Sequence, residues 1–216
     1  MARVSQEHLD ARRRQILDGA ALCFARGGFH ATSMQDVLKE VDLSAGAVYR
    51  YFTGKEELIA AIVIEVLQEV GDAFETAGEQ SPPPAPDVIV GEVMGRMLGL
   101  RPGLAHEGAA VFPRLIVQVW AETLRDGELS KVLNEGYAKV REPWVRLVER
   151  YQEAGMMRAD VPAESVARTM IAAAQGFIAQ MALFGGAPME VLQDGIRGLM
   201  SMGGPAPRAP GGSRAG

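Results

Sequence analysis

Residues 32–55 read TSMQDVLKEVDLSAGAVYRYFTGK, and the rest of the chain is organised around them. The first half of this stretch repeats its apolar residues at the spacing of one helix face: Met34, Val37, Leu38 and Val41. Thr32 with Gln35, or Ser33 with Asp36, has the spacing of a capping box at the start of that helix. We therefore predict a short helix that begins directly after one of these two caps.

A second short helix is predicted to follow. Ser44 is a suitable N-cap, and Leu43 and Val48 stand at the two positions of a hydrophobic staple. The first turn has small side chains and no acid, so an anionic partner can approach its backbone closely. Tyr49 and Arg50 then supply a phenolic donor and a positive charge suited to phosphates. The pattern predicts a helix-turn-helix that binds DNA; the alternative is a surface helical hairpin whose aromatic residues pack on their neighbours.

A resemblance to the TetR family of transcriptional regulators covers residues 12 to about 64. It is carried by the run FARGGFHATSMQDVLKEVDLSAGAVYRYFTGKEELIAAI. The matching features are the Phe24 to Phe29 turn, the Thr32-Ser33 cap, the Leu43-Ser44-x-Gly46 turn, Tyr49-x-Tyr51-Phe52 and Lys55-Glu56-Glu57-Leu58. The resemblance implies an all-α fold, in which an N-terminal three-helix helix-turn-helix DNA-binding domain precedes a larger helical domain for ligand binding and dimerisation.

The resemblance also assigns DNA contacts residue by residue. The residues expected to grip phosphates and fix the register are Thr32, Ser33, Tyr49, Tyr51 and Lys55. The base-facing positions are Ala45, Gly46, Ala47 and Arg50, next to the cap residue Ser44. The family often has lysine at the position of Ala45 and a hydroxyl residue at that of Ala47. Because both are alanine here, we expect direct readout to lean on Arg50, on thymine methyl groups and on DNA shape, with specificity resting heavily on dimer spacing.

Charge is distributed unevenly along the chain, whose net charge is −5. Residues 1–55 carry eight Lys/Arg against six Asp/Glu, whereas the remainder carries fourteen against twenty-one. Such an asymmetry is expected when one end of a protein meets nucleic acid. Since the basic excess is small, affinity for DNA of any sequence should be modest and strongly salt-dependent. The run Arg12-Arg13-Arg14 is either a solvated face or a contact to flanking DNA.

Enzymatic, metal-binding and membrane functions have no signal in the sequence. His8, His30 and His106 are far apart, and HExxH, CxxC, GxSxG and GxxxxGK[ST] motifs are absent, so we expect no catalysis, no cofactor and no metal site. No apolar run reaches the length of a membrane span, and the start lacks the apolar core of a signal peptide. A single cysteine, Cys23, is predicted to pack rather than to sense redox state, and suits a reducing cytoplasm.

Breaks in the helical pattern divide the chain. The segment GEQSPPPAP cannot be helical, because three consecutive prolines remove donors and force extended geometry. The predicted parts are a flexible N-terminus at 1–11, the DNA-binding domain at 12–54, a connecting helix at 55–77, the proline-rich loop at 78–86, a helical ligand-binding and dimerisation domain at 87–202 and a disordered tail at 203–216. Helices within the large domain are predicted at 87–100, 104–110, 112–126, 128–154, 162–184 and 188–202.

The last two predicted helices are apolar on more than one face, which suggests a subunit interface. In TetR-like proteins the last two long helices pair with their copies as a four-helix interface, and the resemblance implies the same here. The predicted interface residues are Ile171, Ala174, Ile178, Met181, Leu192, Ile196 and Leu199. A dimer would set two recognition helices about 34–36 Å apart, on successive major-groove faces of a palindrome.

A ligand pocket between the helices is a second prediction for this domain. Its predicted apolar lining is Met94, Met97, Phe112, Trp120, Tyr137, Trp144, Met170 and Phe177. Its predicted polar anchors are Gln118 and Glu122, with Arg114 and Gln175 as further candidates. Each of these residues, taken singly, also fits an ordinary core position. The stretch LIVQVWAETLRDGELSKVLNEGY resembles the C-terminal domain of the subgroup named for the choline–betaine regulator, whose ligands vary, so no ligand is assigned.

These patterns predict a homodimeric, cytoplasmic transcriptional regulator, expected to be a repressor, that binds a palindromic DNA operator and responds to an unknown small-molecule effector. Effector binding in residues 87–202 would shift the 55–77 helix as a lever and change the separation of the two recognition helices. The alternative is a helical interaction protein that is anchored on DNA and has no small-molecule effector.

Overall fold

The structure, a computed structural model, describes residues 6–99 and 111–201. Its helices are α1 (Gln6–Gly27), α2 (Met34–Val41), α3 (Ala45–Tyr49), α4 (Lys55–Glu79), α5 (Pro86–Gly99), α6 (Val111–Thr123), α7 (Gly127–Glu153), α8 (Ala163–Phe184) and α9 (Met189–Met200). The predicted all-α fold is confirmed, since these two ranges contain no strand. The predicted helix at 104–110 and the tail at 203–216 lie outside the described residues.

Helices α1, α2 and α3 form the N-terminal head. Ile16 and Phe24 of α1, Val37 of α2 and Val48 of α3 are fully buried and belong to one apolar core. Helices α1 and α2 approach closely at Gly19, where a Cβ atom would lie 2.3 Å from Val41 Cγ1. This packing fixes the C-terminal end of α2 against α1, just before α3 begins.

The start of α1 differs from the prediction of a flexible segment at 1–11. Residues 6–11 are the first turns of α1, where Gln6 Nε2 donates to Asp10 Oδ1 at 3.0 Å. Glu7 lies in the first turn, where a carboxylate interacts favourably with the helix dipole. These turns are polar in sequence because they are largely exposed. An exposed helical turn and a loop have similar compositions, so composition did not distinguish them.

Helices α5 to α9 form the body of the protein, and α4 joins the head to it. The most extensive helix pair of the described residues is that of α4 with α7. Their close approach is visible at Gly136, where a Cβ atom would lie 2.3 Å from Leu67 Cδ1. Helix α5 packs on α9, and α8 packs on α6 and α7. The proline-rich loop between α4 and α5 is held by α7, since the Tyr151 hydroxyl donates to the carbonyl of Pro84 and Arg150 Nη2 donates to Gln80 O at 2.8 Å.

Cys23 lies half-buried on α1. Burial, reinforced by the nearby Glu40 and Asp36 carboxylates, raises the pKa of its thiol to about 11. Because a raised pKa leaves little thiolate at pH 8, we expect iodoacetamide to alkylate Cys23 roughly 100-fold more slowly than a free cysteine, with the rate rising as pH approaches 11. Mass spectrometry of timed samples measures this rate. In denaturant the rate should become that of a free thiol; fast alkylation of the folded protein would contradict the burial.

Candidate DNA-binding surface and ligand cavity

Helix α3 presents a surface of small side chains. Ser44 caps the helix by accepting a hydrogen bond from Ala47 N at 3.3 Å, and Val48 anchors it in the core. Ala45 and Gly46 are exposed. A Cβ atom at Gly46 would meet no atom within 4 Å, so nothing in the described part of the chain requires glycine there. A glycine at this position would allow an external partner to approach the backbone of α3 closely.

Three larger side chains follow the small ones. Tyr49 is 48% exposed, and Arg50, which caps the C-terminus of α3, is exposed as well. Tyr51 is half-buried and packs against the core. The phenol of Tyr49 and the guanidinium of Arg50 are therefore accessible to an anionic partner, whereas most of Tyr51 serves the packing of the head.

Ser33 rather than Thr32 caps α2. Asp36 N donates to Ser33 Oγ at 3.3 Å, and Ser33 N donates to Asp36 Oδ2 at 2.9 Å, which together form the Ser33–Asp36 capping box. Hydrogen bonds from the Ser33 hydroxyl and then from its N–H hold the pKa of Asp36 below its usual value. Because a carboxylate already occupies this helix N-terminus, a phosphate at Ser33 would compete with it.

Thr32 and Lys55 make contacts within the fold, and their role as phosphate contacts stays a prediction. Thr32 is 5% exposed, and its hydroxyl donates to Gly28 O at 2.8 Å. Lys55 Nζ donates to Phe29 O at 3.1 Å and lies 3.5 Å from the carbonyl oxygens of His30 and Thr32. It also lies 4.7 Å from the centroid of the Phe29 ring. The sequence predicted that both residues lie near the DNA-binding helices, but it did not show the direction in which their side chains point.

The arginine run on α1 is partly engaged within the protein. Arg13 Nη1 lies 2.6 Å from Glu65 Oε1 on α4, and its guanidinium lies 5.5 Å from the centroid of the Phe52 ring. Arg12 bonds to a neighbour on its own helix. Arg14 is exposed, and a contact of this run with flanking DNA stays a prediction.

A polar contact joins the head to the body at the junction loop, residues 28–33, between α1 and α2. His30 Nε2 lies 2.9 Å from Glu122 Oε2 and 3.4 Å from Arg125 Nη1. Glu122 is buried at the C-terminal end of α6 and does not line the cavity, which corrects its predicted role as a pocket anchor. No local sequence pattern links residues so far apart, so this contact was missed. Lys55 of α4 and Glu122 of α6 therefore hold the same loop.

An apolar cavity of about 120 Å³ lies in the body, between α4, α5, α6, α7 and α8. Its aromatic lining residues are Phe74, Phe112, Trp120, Tyr137 and Trp144. None of the described residues that line it carries a charge. The cavity therefore suits a mainly apolar ligand.

Most of the predicted pocket residues line this cavity: Met94, Met97, Phe112, Trp120, Tyr137, Trp144 and Met170, together with Gln175. Gln118, Glu122, Arg114 and Phe177 do not. Phe177 is buried in the core, and Arg114 Nε donates to Ala182 O at 3.5 Å. Helical spacing indicates that a residue faces inward, but a buried residue can meet a neighbouring helix as easily as a cavity.

Four polar side chains occur among the lining residues. Trp120 Nε1 donates to the Tyr137 hydroxyl at 3.0 Å, and Gln175 also bonds to that hydroxyl. Burial raises the pKa of Tyr137, and the hydrogen bonds from Gln175 and Trp120 oppose this rise. Trp144 Nε1 is buried and has no hydrogen-bond partner among the described residues. The cavity wall thus holds one paired polar cluster and one unpaired donor.

Helices α8 and α9 leave an apolar surface uncovered. Its members are between 40% and 82% exposed: Leu183, Phe184, Val191, Leu199 and Met200. Of the predicted interface residues, only Leu199 belongs to this set. The others are partly or fully covered by the chain itself: Ile178, Met181, Leu192 and Ile196 are buried, and Ile171 and Ala174 are half-buried and line the cavity. The prediction therefore needs correcting, because apolar spacing does not distinguish a face buried within one chain from a face left for a partner.

In the described part of the chain one helix, α8, is long and apolar enough to cross a membrane by length and composition alone. It packs on α6 and α7 and lines the cavity, which identifies it as a core helix of the body. Only 28% of its most apolar stretch is buried, however. The chain by itself does not cover the rest of that apolar surface.

The capped helix pair has an accessible second helix and is joined to a helical body that contains an apolar cavity. This architecture is that of a helix-turn-helix DNA-binding regulator with a second, helical domain. Residues 16–62 match the family described as "Bacterial regulatory proteins, tetR family", and residues 107–197 match "BetI-type transcriptional repressor, C-terminal". The chain belongs to the TetR family of transcriptional regulators, as its sequence predicted.

Individual relatives agree with this assignment. The chain is 25% identical to the HTH-type transcriptional repressor Rv1474c of Mycobacterium tuberculosis, over 84% of this chain and 88% of that protein. The solved structure of Salmonella enterica GusR is 26% identical, with a TM-score of 0.69 over 93% of this chain and 100% of that one. Bacillus subtilis FadR, solved in complex with stearoyl-CoA, is 16% identical with a TM-score of 0.66 over 86% and 96%, and shares the fold. The chain is a transcriptional regulator and not an enzyme.

Proposed function

We propose that the chain is a cytoplasmic repressor that binds a palindromic operator as a homodimer and releases it when a small molecule enters the cavity. One observation carries this proposal: two helices connect the cavity to the junction loop. Helix α4 holds the loop with Lys55 and lines the cavity as far as Phe74, while α6 lines the cavity from Phe112 and holds His30 with Glu122.

The proposed DNA contacts are the accessible positions on and beside α3. Ala45, Gly46 and Ala47 have small or no side chains, so this face of α3 can enter the major groove closely. Arg50 supplies the donors for a base edge. Tyr49 is the proposed phosphate contact. Ser33, Ser44 and Tyr51 stay in a supporting role, because each has a bonding or packing function within the head.

The proposed dimer forms through the uncovered apolar surface of α8 and α9. Isolated apolar side chains are common on protein surfaces, but several large exposed ones on two consecutive helices are typical of an interface. A two-fold axis would bring the same patch of both protomers together. It would also set the two copies of α3 at the spacing that a palindromic operator requires.

The test is footprinting of the chain on genomic DNA fragments, followed by a small-molecule panel applied to the bound fragment. We expect a two-fold symmetric footprint that at least one mainly apolar compound removes. A footprint without symmetry would contradict the dimer. A symmetric footprint that no compound alters would favour an interaction protein that is anchored on DNA and has no small-molecule effector.

The junction contact yields a prediction about coupling. Replacing Glu122 by glutamine removes the charge that faces His30 without touching the cavity lining. An active panel compound should then bind the free protein as before, while its effect on operator affinity falls to within about twofold, from a typical 5- to 150-fold. Fluorescence anisotropy of labelled operator, with and without the compound, measures this effect.

Glu142→Gln is the matched control, because Glu142 forms an exposed ion pair with Arg146 on α7, away from the junction. It should leave the compound's effect intact. Full release of the operator by the compound in Glu122→Gln would show that the signal takes another route.

A further inference from the structure

Trp144, one of the residues that line the cavity, carries a hydrogen-bond donor that the described part of the fold leaves unpaired. Trp144 lines the cavity and is 1% exposed, and its Nε1 atom is buried with no partner among the described residues. Buried donors in native structures are paired with few exceptions, so each exception calls for an explanation. The other such atom in the described chain, Gln118 Oε1, belongs to a residue outside the cavity lining.

The other polar groups of the wall meet at the Tyr137 hydroxyl. The Tyr137 oxygen accepts from Trp120 Nε1 at 3.0 Å, and Gln175 bonds to the same hydroxyl and lowers its pKa, as a donor to the oxygen does. The Tyr137 hydroxyl can still donate its own O–H. Trp144 Nε1 is therefore the one donor of the described wall without a partner, and none of the described lining residues carries a charge.

We propose that the effector is a neutral, mainly apolar molecule with one hydrogen-bond acceptor, such as a carbonyl oxygen, that pairs with Trp144 Nε1. This inference rests on the proposed function and names the ligand class of the same cavity. The volume of about 120 Å³ is somewhat smaller than that of a cavity of about 150 Å³ that takes up benzene, which sets the buried part of the ligand at roughly five or six non-hydrogen atoms. An ammonium or a carboxylate would lose its hydration here without gaining a counter-charge from the described wall.

Two probes of equal size isolate the acceptor. Cyclohexanone and methylenecyclohexane differ only by an oxygen in place of a CH₂ group, so their shapes match and their surfaces differ in polarity only at that group. Calorimetric titration of the full chain should give binding of cyclohexanone about fivefold to tenfold tighter, the worth of one neutral hydrogen bond. Cyclohexylammonium and cyclohexanecarboxylate, the charged counterparts, should not bind measurably.

The indole resonances give a second and independent readout. The chain has two tryptophans, so the ¹H–¹⁵N spectrum contains two indole signals, which Trp120→Phe assigns. Cyclohexanone should move the Trp144 indole proton downfield, because that proton enters a hydrogen bond, whereas methylenecyclohexane should not. This readout needs no variant at Trp144 and stands even if such a variant fails to fold.

Two matched variants complete the test. Trp144→Phe should bring the affinities of the two probes within about twofold of each other. Trp120→Phe makes the same side-chain change in the same cavity, but its donor is already paired with Tyr137, so the preference for cyclohexanone should persist. Equal binding of both probes to the unaltered chain, binding of neither, or tighter binding of a charged counterpart would each overturn the proposal. These outcomes are read without DNA, so they are separate from a failure of the operator test.

Discussion

Gly46→Leu should weaken operator binding by about 100-fold or more while leaving the protein as stable as before or slightly more so. The stability follows from the open space around Gly46 and from the helix propensity of leucine, which exceeds that of glycine by up to about 1 kcal/mol. The loss of binding follows because a leucine would hold α3 away from the groove and leave mainly non-specific affinity, which is typically at least about 10³-fold weaker. Thermal unfolding and operator anisotropy on the same sample measure both quantities.

A matched control is available in α4, the helix that joins the head to the body. Gly78 lies near the C-terminus of α4 and is equally open, so Gly78→Leu adds the same side chain to a helix away from α3. It should leave operator affinity unchanged. Wild-type affinity in Gly46→Leu would mean that α3 does not approach DNA through this position.

The second large effect is expected at the uncovered apolar surface. Phe184→Asp combined with Leu199→Asp should convert the dimer into a monomer and lower operator affinity by about 10³-fold. Both side chains are at least 73% exposed in the single chain, so the fold should tolerate the changes. In a two-fold interface, both copies of each new carboxylate would be buried without a partner, which costs several kcal/mol. Light scattering coupled to size exclusion measures the mass.

Met156→Asp serves as the control for an exposed apolar residue elsewhere, because Met156 is 51% exposed beyond the end of α7. It should change neither mass nor operator affinity. A dimer that survives the double substitution would place the interface on another face.

Much of the fold follows from the sequence because its causes are local. Apolar residues at helical spacing, the Ser33–Asp36 cap and the proline run determine where the helices begin and end to within a few residues. The capping alternatives could be separated only by the structure, since Thr32 and Ser33 have similar propensities and differ in where their hydroxyls point.

The sites were predictable to a smaller extent because they depend on distant contacts. Spacing placed Trp120, Tyr137 and Trp144 inside, and all three line the cavity. It could not show that Glu122 meets His30, nor that Lys55 turns towards the junction loop. The same limit applies to the dimer surface, where both faces of α8 are apolar and only the packing of the chain decides which face stays uncovered.

The junction loop also bears on how such a protein can diversify. The side chains proposed to select a ligand and those proposed to pass its arrival to the head are different residues: Lys55, His30 and Glu122 make the junction contacts, and none of the three lines the cavity. Exchange of wall residues such as Met94 and Met170 would then change the ligand that is bound without altering the junction contacts. That separation would make the body a suitable scaffold for engineered biosensors, in which a new ligand controls binding to the same operator.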